Sequence, residues 1–450
     1  MREGRQKKEE IQLSDHFTLA KLLRFAFLPT ISLLLSSLYS VVDSWFIANF
    51  TGQTAFAAVT LTSSYVLVFP AVGFMIGGGG NALIGKTLGE GDRDKANRIF
   101  SMLIELCVIT GILATVLGEA LLRPFVLWQG ASGELLSDAL QYARLSLCGV
   151  TFVSLLYIFQ LFLITAGKQE LAVMVTIGAG VTNILLDALF ILVFKWGLIG
   201  AALGTLLGQM AGGLLPLLYF IFDKSAGLRL FPTRIDLLPC LKACGNGASE
   251  MIENLAEGVV GILYNFELMR LAGESGVAAY GAIMNIRLIF TLLFVGFDEA
   301  VIPVISYHYG AENHRELKNL LRLCLVSMLS ASVFMFAVTE LFAPFLAALF
   351  MGTGNALSEL TVRGFRIGGI SLLFLGINYL GTSFFTALNN GLVSGILSLL
   401  VMLIFPVLTV TGLPVFFGLD GVWGSISLTG LLGCIFTMTA LLWGRKQYHY

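Results

Sequence analysis

The chain has 450 residues, 57% of them hydrophobic and 12% charged, with 27 Lys+Arg against 28 Asp+Glu. A soluble domain carries about 25% charged residues, so this balance excludes a soluble enzyme, a disordered chain and a nucleic-acid binder. Fifty glycines and long apolar runs fit a bundle of membrane helices, each needing about 20 apolar residues to cross a bilayer. The alternation expected of an outer-membrane barrel is absent.

In chain order, a charged segment (1–24) precedes the first apolar run, which is too long for the core of a cleavable signal peptide. Six spans follow, near 25–48, 55–84, 99–120, 139–164, 171–194 and 197–221, forming an N-lobe of residues 25–221. A charged linker (222–245) leads to six more, near 246–270, 277–306, 323–349, 365–385, 392–413 and 420–443. These form a C-lobe (246–443), closed by a short tail (444–450). The expected fold is an all-α membrane protein of twelve helices in two pseudo-symmetric six-helix bundles.

An even number of spans puts both termini on one side. Twenty of the 27 basic residues fall there, from Arg2, Arg5, Lys7 and Lys8 through Lys86, Lys168 and Lys224 to Arg445 and Lys446. The positive-inside rule makes that side cytoplasmic, and the expected location is a plasma (inner) membrane.

Laying Gly273 on Gly52 brings the two halves of the chain into register. At that one offset Ala57-Ala58 meets Ala278-Ala279, Gly89 meets Gly310, and Thr165-Ala166 meets Thr386-Ala387. Gly197-Leu198 and Gly200 meet Gly418-Leu419 and Gly421. Both lobes start on the same face, so the repeats are parallel, and two such lobes around a cavity are transporter architecture. The turns Gly89-Glu90-Gly91-Asp92 and Gly310-Ala311-Glu312-Asn313 read as plain helix connections.

No Walker, HExxH or GxSxG motif is present, and the four histidines lie at the cytoplasmic ends. Cys240 and Cys244 have no nearby histidine, so neither a metal site nor a catalytic activity is expected. An ion gradient is the drive that remains.

Ionisable groups at membrane depth are functional hypotheses by default. Eight acids are read within spans: Asp43, Glu105, Asp187, Glu250, Glu253, Glu257, Asp298 and Glu299, with Arg287 the clearest base. Asp43 follows Arg24, and Asp187 follows Lys168, by the same number of positions. Both bases are cytoplasmic, so the two acids reach similar depths. Tyr39, Ser40 and Asn183 share their helix faces. Such a pair, facing one interior, can exchange a proton or bind Na⁺; the alternative is a water-exposed helix end. Glu250, Glu253 and Glu257 form one face of the seventh helix. With Asp298 they make a candidate wall for organic cations, or an internal ion-pair network neutralised by Arg287. At the repeat offset Asp43 meets Tyr264 and Asp187 meets Leu408, so the acid pair belongs to one lobe.

These segments resemble the multidrug and toxic compound extrusion (MATE) family. The resemblance rests on Leu38-Tyr39-Ser40-Val41-Val42-Asp43 with Gly52, on Gly89-Glu90-Gly91-Asp92, and on Asn183-Ile184-Leu185-Leu186-Asp187 with Gly197-Leu198-Ile199-Gly200, and it covers about residues 20–445. It implies a V-shaped fold and H⁺- or Na⁺-driven export of bulky, often cationic compounds. It also implies a coupling network at Asp43, Asn183, Asp187 and Thr205. The other branch of the family places an Asp on helix 10, and that span holds no acid here. The resulting expectation is a monomeric cation-coupled antiporter in the bilayer, with small-molecule substrates and no cofactor beyond the coupling ion. A flippase for a lipid-linked sugar or lipid is the alternative, and a non-transporting receptor a third class.

Overall fold

The structure, a computed structural model, describes residues 11–223, 227–234, 236–352 and 354–450. Of the basic residues that set the expected orientation, Arg2, Arg5, Lys7, Lys8 and Lys224 lie outside the described residues.

In lipid every backbone N–H and C=O must be satisfied within its own segment, which leaves helices as the answer for long apolar runs. The described residues form helices α1 (Leu19–Phe50), α2 (Gln53–Val68), α3 (Ala71–Gly89), α4 (Arg93–Trp128), α5 (Gly133–Cys148), α6 (Val150–Thr165), α7 (Gln169–Asp187) and α8 (Gly197–Phe222). Then come α9 (Leu237–Asn246), α10 (Ala248–Gly310), α11 (His314–Met351), α12 (Ala356–Gly369), α13 (Leu372–Ala387), α14 (Gly391–Ser398) and α15 (Phe405–Tyr448). Wider π turns, Ala188–Val193 and Leu399–Ile404, extend α7 and join α14 to α15. No strand occurs among the described residues.

Seven helices are long and apolar enough to cross a membrane, and ten spans result when the bent pairs α2–α3 (42°), α5–α6 (41°) and α12–α13 (47°) each count as one. The two longest helices hold the remaining two spans. α10 has 63 residues, about 95 Å if straight, or three bilayer cores. Its backbone turns back at Gly273 (φ 60°), and that of α15 does so at Gly418 (φ 55°). Tyr264 and Tyr280, on either side of Gly273, stack with ring centroids 5.1 Å apart; along one straight helix they would be about 24 Å apart. Thr409 and Thr429 likewise share a hydrogen bond of 2.8 Å across Gly418. The described residues therefore form twelve spans.

The positive φ at these hairpins requires glycine, because a Cβ clashes in that region. Their repeat mates, Gly52 (φ 101°) and Gly197 (φ 55°), turn the first half in the same way. The caps repeat too. Asp92 and Asn313, which are repeat mates, each accept a backbone N–H three residues on, at 2.9 and 3.1 Å.

Two differences from the sequence reading stand out. The first helix begins at Leu19, inside the segment read as leading into the membrane. The linker carries a helix, α9, whose Cys240 and Ala243 are buried against the first bundle.

The two bundles meet at the end where both described termini pack into one core, with Leu13 and Phe17 beside Tyr448 and Tyr450. A Cβ on Gly89 would overlap the Tyr307 carbonyl, and one on Gly310 would overlap that of Lys86. Lys86 and Tyr307 are themselves repeat mates, so this contact maps onto itself as across a two-fold axis. The two short turns named above are thus simple connections, α3 to α4 and α10 to α11, packed at that axis.

Candidate functional site

Asp187 is the last α-helical residue of α7, fully buried at the junction with the π turn. Such turns are common at functional sites because they re-aim side chains. Asn183, one turn earlier, donates through Nδ2 to Asp187 Oδ2 (3.1 Å) and to Thr205 Oγ1 of α8 (3.4 Å). From α1, the Asp43 carboxyl comes close enough to interact with both Asp187 and Thr205. Two carboxyls this near each other in a buried site repel when both are charged, which favours a proton or cation between them. Asp43 Oδ1 and Asp187 Oδ1 are buried with no protein partner. The site thus has two adjacent carboxyls and two open acceptor atoms.

Close packing makes room for it. A Cβ on Gly204 would overlap Asp187 Oδ1, so α8 approaches α7 only because that residue is glycine. Tyr39 lies against Gly180 of α7, where a Cβ would stand 2.7 Å from its ring, and it is close enough to feel the charge of Asp43. Tyr39 is a wall of the site, and Ser40 faces outward. Tyr142 of α5 completes the surroundings, close enough to feel the charge of both Asp43 and Asp187. Nothing in the sequence pointed to Tyr142, because α5 has no acid or repeat match at that position.

The acids of the second bundle gather separately, at the seam between the bundles. Glu250 Oε2 accepts from the Tyr157 hydroxyl of α6 (3.5 Å), and Tyr157 lies close to Glu299 as well. Glu253 Oε1 accepts from Ser398 (3.2 Å) and Asp298 Oδ2 from Ser383 (3.0 Å). Asp298 Oδ1 and Glu299 Oε2 are buried without a partner. Glu257, a turn beyond Glu253, is exposed. Tyr379 of α13 is placed to feel Glu250, Glu253 and Glu257 together.

The ion-pair network considered for Arg287 does not form. Arg287 makes no ion pair among the described residues; it lines a small cavity with Phe290, Thr339 and Ser371. The eleven residues between Arg287 and Asp298 give a shared face but a separation of about 16 Å along the axis. Three further acids also lie on long helices. Glu119 pairs with Arg144 (3.6 Å) and Glu267 with Arg270 (2.6 Å), while Glu340 lies on α11. Glu105 is half-buried and has no assigned partner. Among the described residues no group of three or more His, Cys, Asp or Glu side chains could hold a metal ion.

Comparisons with known proteins agree with this fold. The model of the MatE family matches residues 30–189 and again residues 251–411. The starts of the two matches, 30 and 251, stand at the offset that relates Gly52 to Gly273. The chain is 25% identical over 423 residues to the multidrug export protein MepA of Staphylococcus aureus, covering 93% of this chain and 92% of that protein. An outward-facing multidrug resistance MATE transporter of the MOP superfamily superposes with TM-score 0.87 at 22% identity, over 98% of both chains. A MOP superfamily transporter from Pyrococcus furiosus, whose description gives its binding pocket reversed polarity and suggests a different function, superposes with TM-score 0.86 at 22% identity over 98% of both.

Proposed function

The chain belongs to the MatE family, and on that premise we propose that it exports drugs or other organic cations in exchange for H⁺ or Na⁺ by alternating access. The observation that carries the reading is the set Asp43, Asn183, Asp187 and Thr205, which brings two carboxyls together at depth with two open oxygens. A proton or Na⁺ entering there neutralises a charge held against α1, α7 and α8 at once, and so biases how α1 packs on its bundle. One charge moving inward at 100 mV supplies about 2.3 kcal/mol, which rocking of the bundles converts into outward release of the substrate.

The acids Glu250, Glu253, Glu257 and Asp298 are proposed as the cation-attracting wall. Arg287 is set apart from it and is not counted among the substrate contacts. The terminal end is proposed as cytoplasmic, from the basic residues it carries, and the working unit as a monomer in a bacterial plasma membrane. The lobe boundaries 25–221 and 246–443 are kept as the moving units. An acidic seam opposes an anionic lipid-linked substrate, which places the flippase reading second.

The test is transport in proteoliposomes with pH and Na⁺ gradients imposed separately. Wild type extrudes ethidium under one of the two gradients, and Asp43→Asn and Asp187→Asn do not. Gradient-driven efflux that survives both substitutions refutes the coupling site. Binding of a lipid-linked precursor without dye efflux moves the flippase reading to first place.

A further inference from the structure

We infer that the second bundle holds a monatomic anion, a halide such as chloride, in the cavity beside Arg287. This inference is independent of the coupling reading. Arg287 lies fourteen residues past the Gly273 hairpin on a 63-residue helix pair, which places it about 20 Å from that turn and well inside the span. An arginine at the centre of a span costs about 2.5–3.5 kcal/mol on insertion scales, and buried charges are normally paired. No carboxylate is within ion-pairing distance of it among the described residues.

The cavity it lines offers what an anion needs. Thr339 lines it at 2% exposure, with a hydroxyl that has no hydrogen-bond partner. That is unusual here, since Thr361, Thr409 and Thr411 each bond the carbonyl four residues back. The wall opposite is the 47° break between α12 and α13. There Ser371 and Leu372, the cap and first residue of α13, line the same space, and Ser371 adds a second hydroxyl able to donate.

Size selects the class of ligand. The cavity has a volume of about 20 Å³, and roughly 10–15 Å³ admits one water-sized occupant. A single-atom ion fits that volume. The apolar remainder of the wall, including Phe290 and Phe365, suits a large, weakly hydrated anion better than water.

The first bundle shows why the space exists. Its corresponding break lies at Gly149, between α5 and α6, and the Gln209 side chain of α8 fills it: a Cβ on Gly149 would overlap Gln209 Oε1. The repeat mate of Gln209 is Gly430, which sits against Ser371 and has no side chain to insert. The repeat mate of Arg287 is Val66. One bundle therefore plugs its break with an amide. The other inserts no side chain at that position and places a guanidinium beside its break.

The experiment is thermal unfolding of the purified full chain at fixed pH and ionic strength, with gluconate replaced stepwise by chloride or bromide. Wild type is expected to gain stability saturably with halide, as a ligand of the native state alone requires. Arg287→Gln is expected to lose that gain, Thr339→Val to raise the half-saturating halide concentration several-fold, and Asp43→Asn to keep the wild-type response. Equal melting temperatures in chloride and gluconate overturn the inference, as does a halide response that persists in Arg287→Gln. If Arg287→Gln fails to fold, Thr339→Val decides alone, and an unchanged half-saturation overturns the site. Bromide scattering beside Arg287 in a crystal of wild type supports it directly, and ordered water alone in that cavity at saturating bromide refutes it.

Discussion

At equivalent positions of the repeat, the first bundle carries Asp43, Asn183, Asp187, Gly204 and Thr205, while the second carries Tyr264, Ile404, Leu408, Ser425 and Ile426. Where the first bundle has two carboxyls with unpartnered oxygens, the second closes its space with neutral hydroxyls. Tyr264 and Ser425 share a hydrogen bond of 2.8 Å, and Thr409 bonds Thr429 at 2.8 Å. The π turns add a rotation. They begin at Ala188 and Leu399, ten residues short of the repeat offset, so the position matching Asp187 comes after its π turn instead of before it. A π turn inserts about one extra residue and swings the next helical turn around the axis. Leu408 is accordingly 62% exposed where Asp187 is fully buried. The same backbone thus serves as a chargeable interior in one bundle and as a satisfied, neutral interior in the other.

The strongest test of this asymmetry is to neutralise each side. Asp187→Asn is expected to remove gradient-driven accumulation, with a loss of about 2.3 kcal/mol of drive at 100 mV, or about 50-fold in the sustainable gradient. Tyr264→Phe is expected to leave coupling intact, with a stability cost of about 1 kcal/mol for the lost hydrogen bond, Ser425 keeping its bond to the Val422 carbonyl. Dye efflux from energised vesicles and thermal unfolding measure the two effects.

A second test transplants the neutral solution. Gly204→Ser places the second bundle's residue beside Asp187, where its Cβ overlaps Oδ1. Overpacking of this kind costs about 1–3 kcal/mol. The expected outcome is a folded protein whose coupling falls sharply, read as a loss of the pH or Na⁺ dependence of transport. The reciprocal Ser425→Gly is expected to affect stability only.

The contact at the pseudo-two-fold axis should instead behave symmetrically. Gly89→Ala and Gly310→Ala each drive a methyl into a backbone carbonyl of the other bundle. Both are expected to open the terminal end by similar amounts, about 1–3 kcal/mol each. Labelling of cysteines introduced along α3 and α10 measures the shift, and unequal effects would show that the seam is not two-fold. At this seam the smallest effect expected is that of Tyr157→Phe. It removes the hydroxyl that donates to Glu250, weakens the same seam by about 1–2 kcal/mol and leaves Asp43 and Asp187 untouched. Thermal unfolding reads the loss, and coupling that changes with it would tie the seam to the acid pair.

Much of this molecule was legible in the order of its residues. The repeat located Gly52, Gly197, Gly273 and Gly418, and all four take the positive φ of a hairpin. Depth arithmetic paired Asp43 with Asp187, and they meet. The helical spacing of Glu250 and Glu253 put them on one face, but it gave no sign that Tyr157 from the other bundle would reach Glu250. Arg287 and Asp298 share a helix face in sequence yet face different neighbours. The helix in the linker, α9, was hidden because a charged stretch masked the short apolar face that packs on α3.

By itself the sequence determined the solvent this protein folds in, its twelve spans, its two-fold repeat and the depth of each charge. Each of these is local or periodic: bilayer thickness sets span length, glycine supplies positive φ, and the constant rise per residue of a helix sets depth. Only the tertiary structure decided which charges touch. That depends on how each helix is rotated about its own axis, and a π turn or a glycine on a neighbouring helix can change the rotation without altering the hydrophobic pattern. So Asp187 faces Asp43 across the gap that Gly204 permits, Leu408 faces outward, and Arg287 stands in a cavity without a carboxylate, because packing at each site fixed an angle that composition and periodicity leave free.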